Sequence, residues 1–356
     1  MKGKDAYGDQ RASDPMLCRR DGGKIMNNTH CGEKDTRKTF SRIGLALSTI
    51  FIVSTILQAL WFGVFEQIPG IGNWLTDSSW GMWLGTFIPM YLIGVPVGLL
   101  ILKKVPGETP QENKLGGKNF VIFLLISFFL MYGGNIIGTV LSFVFSGGEA
   151  NNAFLDYAMD NNSIKILFVV ILAPLIEEYI FRKQIIDRTR IYGEKAAVFL
   201  SAFTFGLFHM NLFQFFYAFG LGWLFAYIYM RTGRLRYSVM LHGIVNFMGS
   251  VVAPAILSMV DLEALTAMDV NATTEEILAL YGDMLPGLVL YLLYAFVLVG
   301  LAITGLVFLI LKCRKLVWRE AECQLSGSGA VKTMYINFGM VAFVLLSLSF
   351  MILSLL

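Results

Sequence analysis

The stretch ILAPLIEEYIFRKQIIDRTR, residues Ile171–Arg190, begins as an apolar run fit for a bilayer and then sets two adjacent carboxylates, Glu177 and Glu178, inside it. An ionisable group at membrane depth costs at least about 2.5 kcal/mol. A chain carries such groups where they have partners or a purpose. Arg182 follows Glu178 by about one helical turn, so on a helix the two share a face and neutralise one another. Glu177 projects about 100° away from Glu178 and has no basic residue three or four positions away. It is the carboxylate left over, and the question is what it faces.

Around this stretch the chain is apolar throughout. Of its 356 residues 56% are hydrophobic, against about 45–50% in soluble domains, and the mean hydropathy is +0.65. Runs of about 20 apolar residues recur, at roughly 43–65, 80–102, 119–146, 166–182, 196–210, 212–230, 237–256, 286–311 and 334–356. The expected fold is an all-α polytopic transmembrane bundle of about nine spans, with its chemistry in spans 4–7. The divisions are a polar N-terminal tail, 1–42, expected to be disordered; spans 1–3 over 43–150; a core over 164–256; an acidic outer loop, 257–285, expected to hold an amphipathic surface helix; and the last two spans over 286–356. With the N-terminus in the cytosol and alternating sides, every Lys and Arg except Lys165 falls on the cytosolic side. That distribution obeys the positive-inside rule and puts the C-terminus outside. The chain thus reads as an integral multi-pass protein of a bacterial cell membrane, with the lipid bilayer as partner and no nucleic-acid role.

Several classes are disfavoured. No short apolar segment follows a basic one near Met1, so no cleavable signal peptide is expected. Cys18, Cys31, Cys313 and Cys323 have no CxxC spacing, which suggests neither a zinc knuckle nor a disulfide framework. On the reducing side of the membrane all four are expected as free thiols. No internal repeat supports an inverted-repeat transporter. Gly220, Gly222, Gly243 and Gly249 are placed to let the later helices approach closely.

Two of the three histidines lie in spans. His209 follows Phe205 by four residues, and His242 precedes Asn246 by four, so each pair shares a helix face. Intramembrane polar groups face the bundle interior, and Glu177, His209, His242 and Asn246 on three helices point to one shared site. A carboxylate near an imidazole can turn water into a nucleophile. A second imidazole with an amide N–H can stabilise the oxyanion formed when that water attacks a carbonyl. The inventory Glu177, His209 and His242 would equally serve as ligands of a divalent metal such as zinc, so metal-dependent and metal-independent hydrolysis both stay open.

EExxxR (Glu177, Glu178, Arg182), FxxxH (Phe205, His209) and HxxxN (His242, Asn246), in this order, resemble the CPBP family of intramembrane proteases, the CAAX prenyl endopeptidases and bacteriocin-processing (Abi) proteins. The resemblance covers about residues 164–256. It implies that Glu177 activates water with help from His209, and that His242 and Asn246 bind the oxyanion. Glu178 would belong to the catalytic set, Arg182 would shape the site with it, and Phe205 would pack on His209. The implied substrates are prenylated CAAX proteins, or leader, pheromone or bacteriocin peptides. One departure is Lys183, where many relatives carry Gly, and it reads here as a snorkelling surface lysine. The rival readings are a non-catalytic immunity or scaffold protein and a proton-coupled transporter. Depth poses one difficulty: His209 lies farther along its span than Glu177 or His242 along theirs. The fifth helix must therefore tilt or start early, near Gly193, and a cytosol-facing, water-filled cavity is expected.

Overall fold

In the computed structural model, which describes residues 16–18, 32–149, 164–260 and 274–356, helix follows helix with short turns between. The order is α1 (Glu33–Phe65), α2 (Ile71–Asp77), α3 (Ser79–Leu102), α4 (Gly117–Phe145), α5 (166–189), α6 (Glu194–Phe208), α7 (Leu212–Thr232), α8 (Leu235–Leu257), α9 (Thr274–Cys313), α10 (Gly327–Tyr335) and α11 (Phe338–Leu353). Helix α1 starts ten residues before the expected boundary, because Glu33 and Asp35 supply the acidic first turn that a helix N-terminus favours. The rest of the expected tail, apart from 16–18 and 32, and residues 261–273 of the expected outer loop lie outside the described residues, whereas 274–285, expected in that loop, form the first turns of α9.

By length and composition six of these helices can cross a membrane: α1, α3, α4, α7, α8 and the 284–313 part of α9. The pair α10–α11, bent by 70°, makes a seventh if taken as one span. Helices α5 and α6, expected as spans 4 and 5, are not among these, and the whole fits the expected all-α polytopic bundle. Span 4 corresponds to α5, whose α-helical pieces alternate with the i→i+5 stretches Ile166–Leu172 and Tyr179–Ile186. Span 5 is α6, only 15 residues, or about 22 Å at 1.5 Å per residue. Most of α6 is buried, from Ala197 through Phe208 with few breaks, so it is clad by protein and has no need to match the bilayer. Its start at Glu194, behind Gly193 in the positive-φ region (131°), meets the requirement for an early beginning.

In their described residues the segments assigned to the cytosolic side, 1–42, 103–118, 182–195, 231–236 and 312–333, contact one another at one end of the bundle. Glu108 N–H donates to the Asp187 carbonyl (2.8 Å) and Asn113 N–H to that of Thr232 (2.8 Å). Arg319 N–H donates to Glu194 Oε2 (2.7 Å), and Asp35 and Thr39 of α1 border a cleft with Val105–Glu108 and Asp187–Tyr192. Lys183 is part of this junction rather than a free snorkelling group: its ammonium pairs with Asp187 at 2.8 Å and contacts Thr109. The buried Asp187 also accepts from Tyr229 Oη (2.8 Å) and Thr109 Oγ1 (2.9 Å).

The cysteines depart from expectation. Cys313 is free and exposed, but Cys323 is disulfide-bonded. Cys323 lies in the strand Cys323–Leu325, which pairs antiparallel with Met16–Cys18, placing Cys18 opposite it in register. Spacing along the chain carries no trace of a contact made by pairing two such distant strands.

Small residues set the closest helix crossings, as packing in lipid demands. A Cβ on Gly339 of α11 would sit 1.8 Å from the Ser41 carbonyl oxygen of α1, and one on Gly44 would meet Gly339 backbone at 2.3 Å. Of the glycines singled out from sequence, Gly222 lets the Phe205 ring in, 2.9 Å from where a Cβ would stand, while Gly243 faces the Val170 carbonyl (3.0 Å) and Gly220 faces Leu130 (3.3 Å). Gly249 has nothing within 4 Å and mediates no close approach. Gly339→Ala is expected to force α1 and α11 apart and cost about 1–3 kcal/mol, read as a lower Tm in detergent; an unchanged Tm would refute the crossing.

Candidate active site

Helix α5 brings the two carboxylates to the centre of the bundle, and they have different surroundings. Glu178 and Arg182 have no solvent exposure. Arg182 grips Glu178 with two bonds, Nε to Oε2 at 2.8 Å and Nη2 to Oε1 at 3.0 Å. Its remaining Nη1 donates to Ser201 Oγ (2.8 Å), whose hydroxyl donates to the Phe181 carbonyl (2.8 Å). The guanidinium also lies over the Phe205 ring at 4.9 Å. Such complete pairing is what makes a buried charge tolerable.

Glu178 has a third partner. His242, on α8, presents Nδ1 to Glu178 Oε1 at 3.1 Å. A carboxylate already bonded to a guanidinium only accepts, so Nδ1 carries the proton and Nε2 is turned away. Nε2 stands 3.7 Å from Glu177 Oε2. That distance is too long for a direct hydrogen bond and short enough for one water to touch both atoms. The other oxygen of Glu177, Oε1, accepts from Tyr91 Oη at 2.5 Å.

His209 caps the C-terminal end of α6. Met210 follows in the left-handed region (φ 52°), and Asn211 caps α7 by accepting from Phe213 N–H at 2.8 Å. This tight turn holds the imidazole in place. His209 Nδ1 faces the Phe205 carbonyl at 2.8 Å, so it too donates through Nδ1 and leaves Nε2 free. The Phe205 ring stands edge-on to both imidazoles, 4.9 Å from His209 and 5.7 Å from His242. It packs on His209 as expected and spaces the second histidine as well.

Asn246 lies on the face of His242, but its Nδ2 donates to the Val169 carbonyl of α5 at 2.9 Å. Val169 belongs to an i→i+5 stretch, where the α-helical ladder is interrupted and a carbonyl can serve a side chain. One amide N–H of Asn246 is thereby spent on holding α8 to α5. Tyr91 was invisible from the sequence. It stands in α3, 86 residues from Glu177, in a region with no readable motif. The one available signal was a phenol in an otherwise apolar span, between Pro89 and Pro96.

Among the described residues no three His, Cys, Asp or Glu side chains are grouped to hold an ion. Glu177 has one oxygen committed to Tyr91, and the Phe205 ring contacts both imidazoles. An apolar groove of about 580 Å³ is lined by Leu175, Ile176 and Tyr179 of α5 and Leu235, Val239 and Met240 of α8, with Arg236 among them, and neither Glu177 nor Glu178 lines it.

Arg182→Ala would strand the Glu178 charge, and the expected loss is about 3–5 kcal/mol. Glu178→Gln combined with Arg182→Met should recover most of it, since no uncompensated charge remains. Denaturant unfolding of the three proteins in detergent checks this; a double variant no better than Arg182→Ala would contradict it.

Residues 160–248 match the family described as type II CAAX prenyl endopeptidase Rce1-like. The protein "Membrane-embedded CAAX protease MroQ" of Staphylococcus aureus (strain USA300) is 31% identical over 170 residues, which cover 44% of this chain and 68% of that one. The "Putative membrane peptidase YdiL" of Bacillus subtilis (strain 168) is 28% identical over 179 residues, covering 47% and 69% respectively. No solved structure gives a significant match.

Proposed function

The chain belongs to the CPBP family of intramembrane proteases, and from that premise we propose that it hydrolyses a peptide bond with water activated by Glu177. The observation that carries this reading is the 3.7 Å gap between Glu177 Oε2 and His242 Nε2, the span of one bridging water. Glu177 takes a proton from that water, assisted by His209, and the oxygen attacks the scissile carbonyl carbon. The carbonyl electron pair moves onto oxygen. The resulting oxyanion is met by His242 acting as the imidazolium, with its Nδ1–H held by Glu178 and its Nε2–H left to donate, and by the N–H that Asn246 has not spent on Val169. Collapse of the tetrahedral species breaks the C–N bond, and the proton held at Glu177 passes to the leaving amine.

The scheme needs no metal, since Glu177 supplies the base and His242 with Asn246 the oxyanion donors. The apolar groove formed by α5 and α8 favours a substrate that presents lipid or an apolar segment, such as a prenylated CAAX-type protein, over a wholly polar leader or bacteriocin-type peptide. The convergence of the basic segments at one end of the bundle supports a cytosolic N-terminus and entry of substrate from that side.

The test is cleavage of a panel of farnesylated CAAX peptides and leader peptides by the purified protein in detergent. Glu177→Ala and His209→Ala are expected to lose activity by at least about 100-fold with unchanged Tm, and EDTA is expected to have no effect. Full activity in Glu177→Ala would remove the proposed base, and loss of activity with EDTA would restore the metal reading.

A further inference from the structure

We propose that Tyr91 is a positioning residue of the hydrolytic site, supplied by a helix outside the family-matched segment, and that it selects which oxygen of Glu177 acts as the base. The inference rests on the assignment of Glu177 as that base. Tyr91 Oη donates to Glu177 Oε1 at 2.5 Å. Oε1 is thereby engaged, and Oε2 is the oxygen presented to His242 Nε2. A glutamate side chain has free torsions at its end, and its terminal one is broad. Without a fixed donor on one oxygen the carboxylate would sample orientations that point neither oxygen at the water.

The fold invests in this phenol. Tyr91 lies in the i→i+5 stretch Ile88–Gly94 of α3, with Pro89 at its start and Pro96 just past its end. Ser54 of α1 reaches the Pro89 carbonyl (3.5 Å), and Gly94 lets α3 approach the Ile50 carbonyl of α1, 2.8 Å from where a Cβ would stand. The Tyr91 ring packs on Phe87 at 4.8 Å, and Phe87 in turn packs on Phe168 of α5 at 4.9 Å. Helix α3 is thus fixed both to α1 and to the helix that carries Glu177. The matched segment begins at residue 160, so α3 lies wholly before it, and the site takes one of its contacts from there. Hydrolysis at a fixed oxygen depends on this kind of alignment, where a displacement of about 1 Å can cost 100-fold in rate.

The test is steady-state cleavage of a farnesylated CAAX peptide by Tyr91→Phe, which removes the hydroxyl and keeps the ring. We expect kcat to fall about ten- to a hundredfold with KM within about twofold, since the role assigned to the phenol is to hold Glu177. In a Glu177→Asp background the same change is expected to cost less than about threefold, because the shortened carboxylate no longer reaches the hydroxyl; that non-additivity marks a direct coupling. A Tyr91→Phe enzyme with wild-type kcat, alongside an inactive Glu177→Ala, would overturn the positioning role while leaving the base assignment standing. Equal loss in the wild-type and Glu177→Asp backgrounds would overturn it too. Activity retained by Glu177→Ala would instead defeat the base assignment itself.

Discussion

A pair of charges with no access to solvent holds the centre of this protein together. Glu178 and Arg182 satisfy one another through two hydrogen bonds, and each has a spare contact that reaches another helix. Arg182 extends to Ser201 of α6, and Glu178 extends to His242 of α8. Three helices that carry site residues are therefore tied to one ion pair. In a bilayer there is no water to replace a lost partner, so the constraint is strict. With Arg182 committed to Glu178, Glu177 takes its hydrogen bond from Tyr91 instead.

The interrupted geometry of the helices serves the same centre. The i→i+5 stretches at Ile88–Gly94, Ile166–Leu172 and Tyr179–Ile186 contain Tyr91, Val169 and Arg182, and a fourth, Met248–Val252, begins just after Asn246. Each alters the direction of a helix beside the site or frees a carbonyl for a side chain, as such bulges often do near functional residues. Helix α6 achieves its placement differently. It is short, starts at the end where the basic segments gather, and stops at a left-handed Met210 that leaves His209 facing inward. The strain of that backbone position is tolerated because Met210 is buried and Asn211 immediately caps the next helix.

What could be read from the sequence was the local part. The four-residue spacing of Glu178 and Arg182 gave their pairing, the lack of a neighbour marked Glu177, and Phe205 packs on His209 as its spacing implies. The same spacing logic put Asn246 on the face of His242 but could not say that its amide would be spent on Val169. Contacts between distant segments were out of reach: Tyr91 on Glu177, Thr109 and Tyr229 on Asp187, and the bonded state of Cys323.

The central claim is that a water held by Glu177 attacks the scissile carbonyl directly. A single turnover in ¹⁸O-labelled water, with excess enzyme and a farnesylated CAAX peptide, tests it most directly. Mass spectrometry of both partners should find one ¹⁸O in the new carboxyl terminus of the product and none in the peptide carrying Glu177. Label appearing in Glu177 would mean that its carboxylate had bonded to the substrate as a nucleophile, and direct attack by water would be wrong.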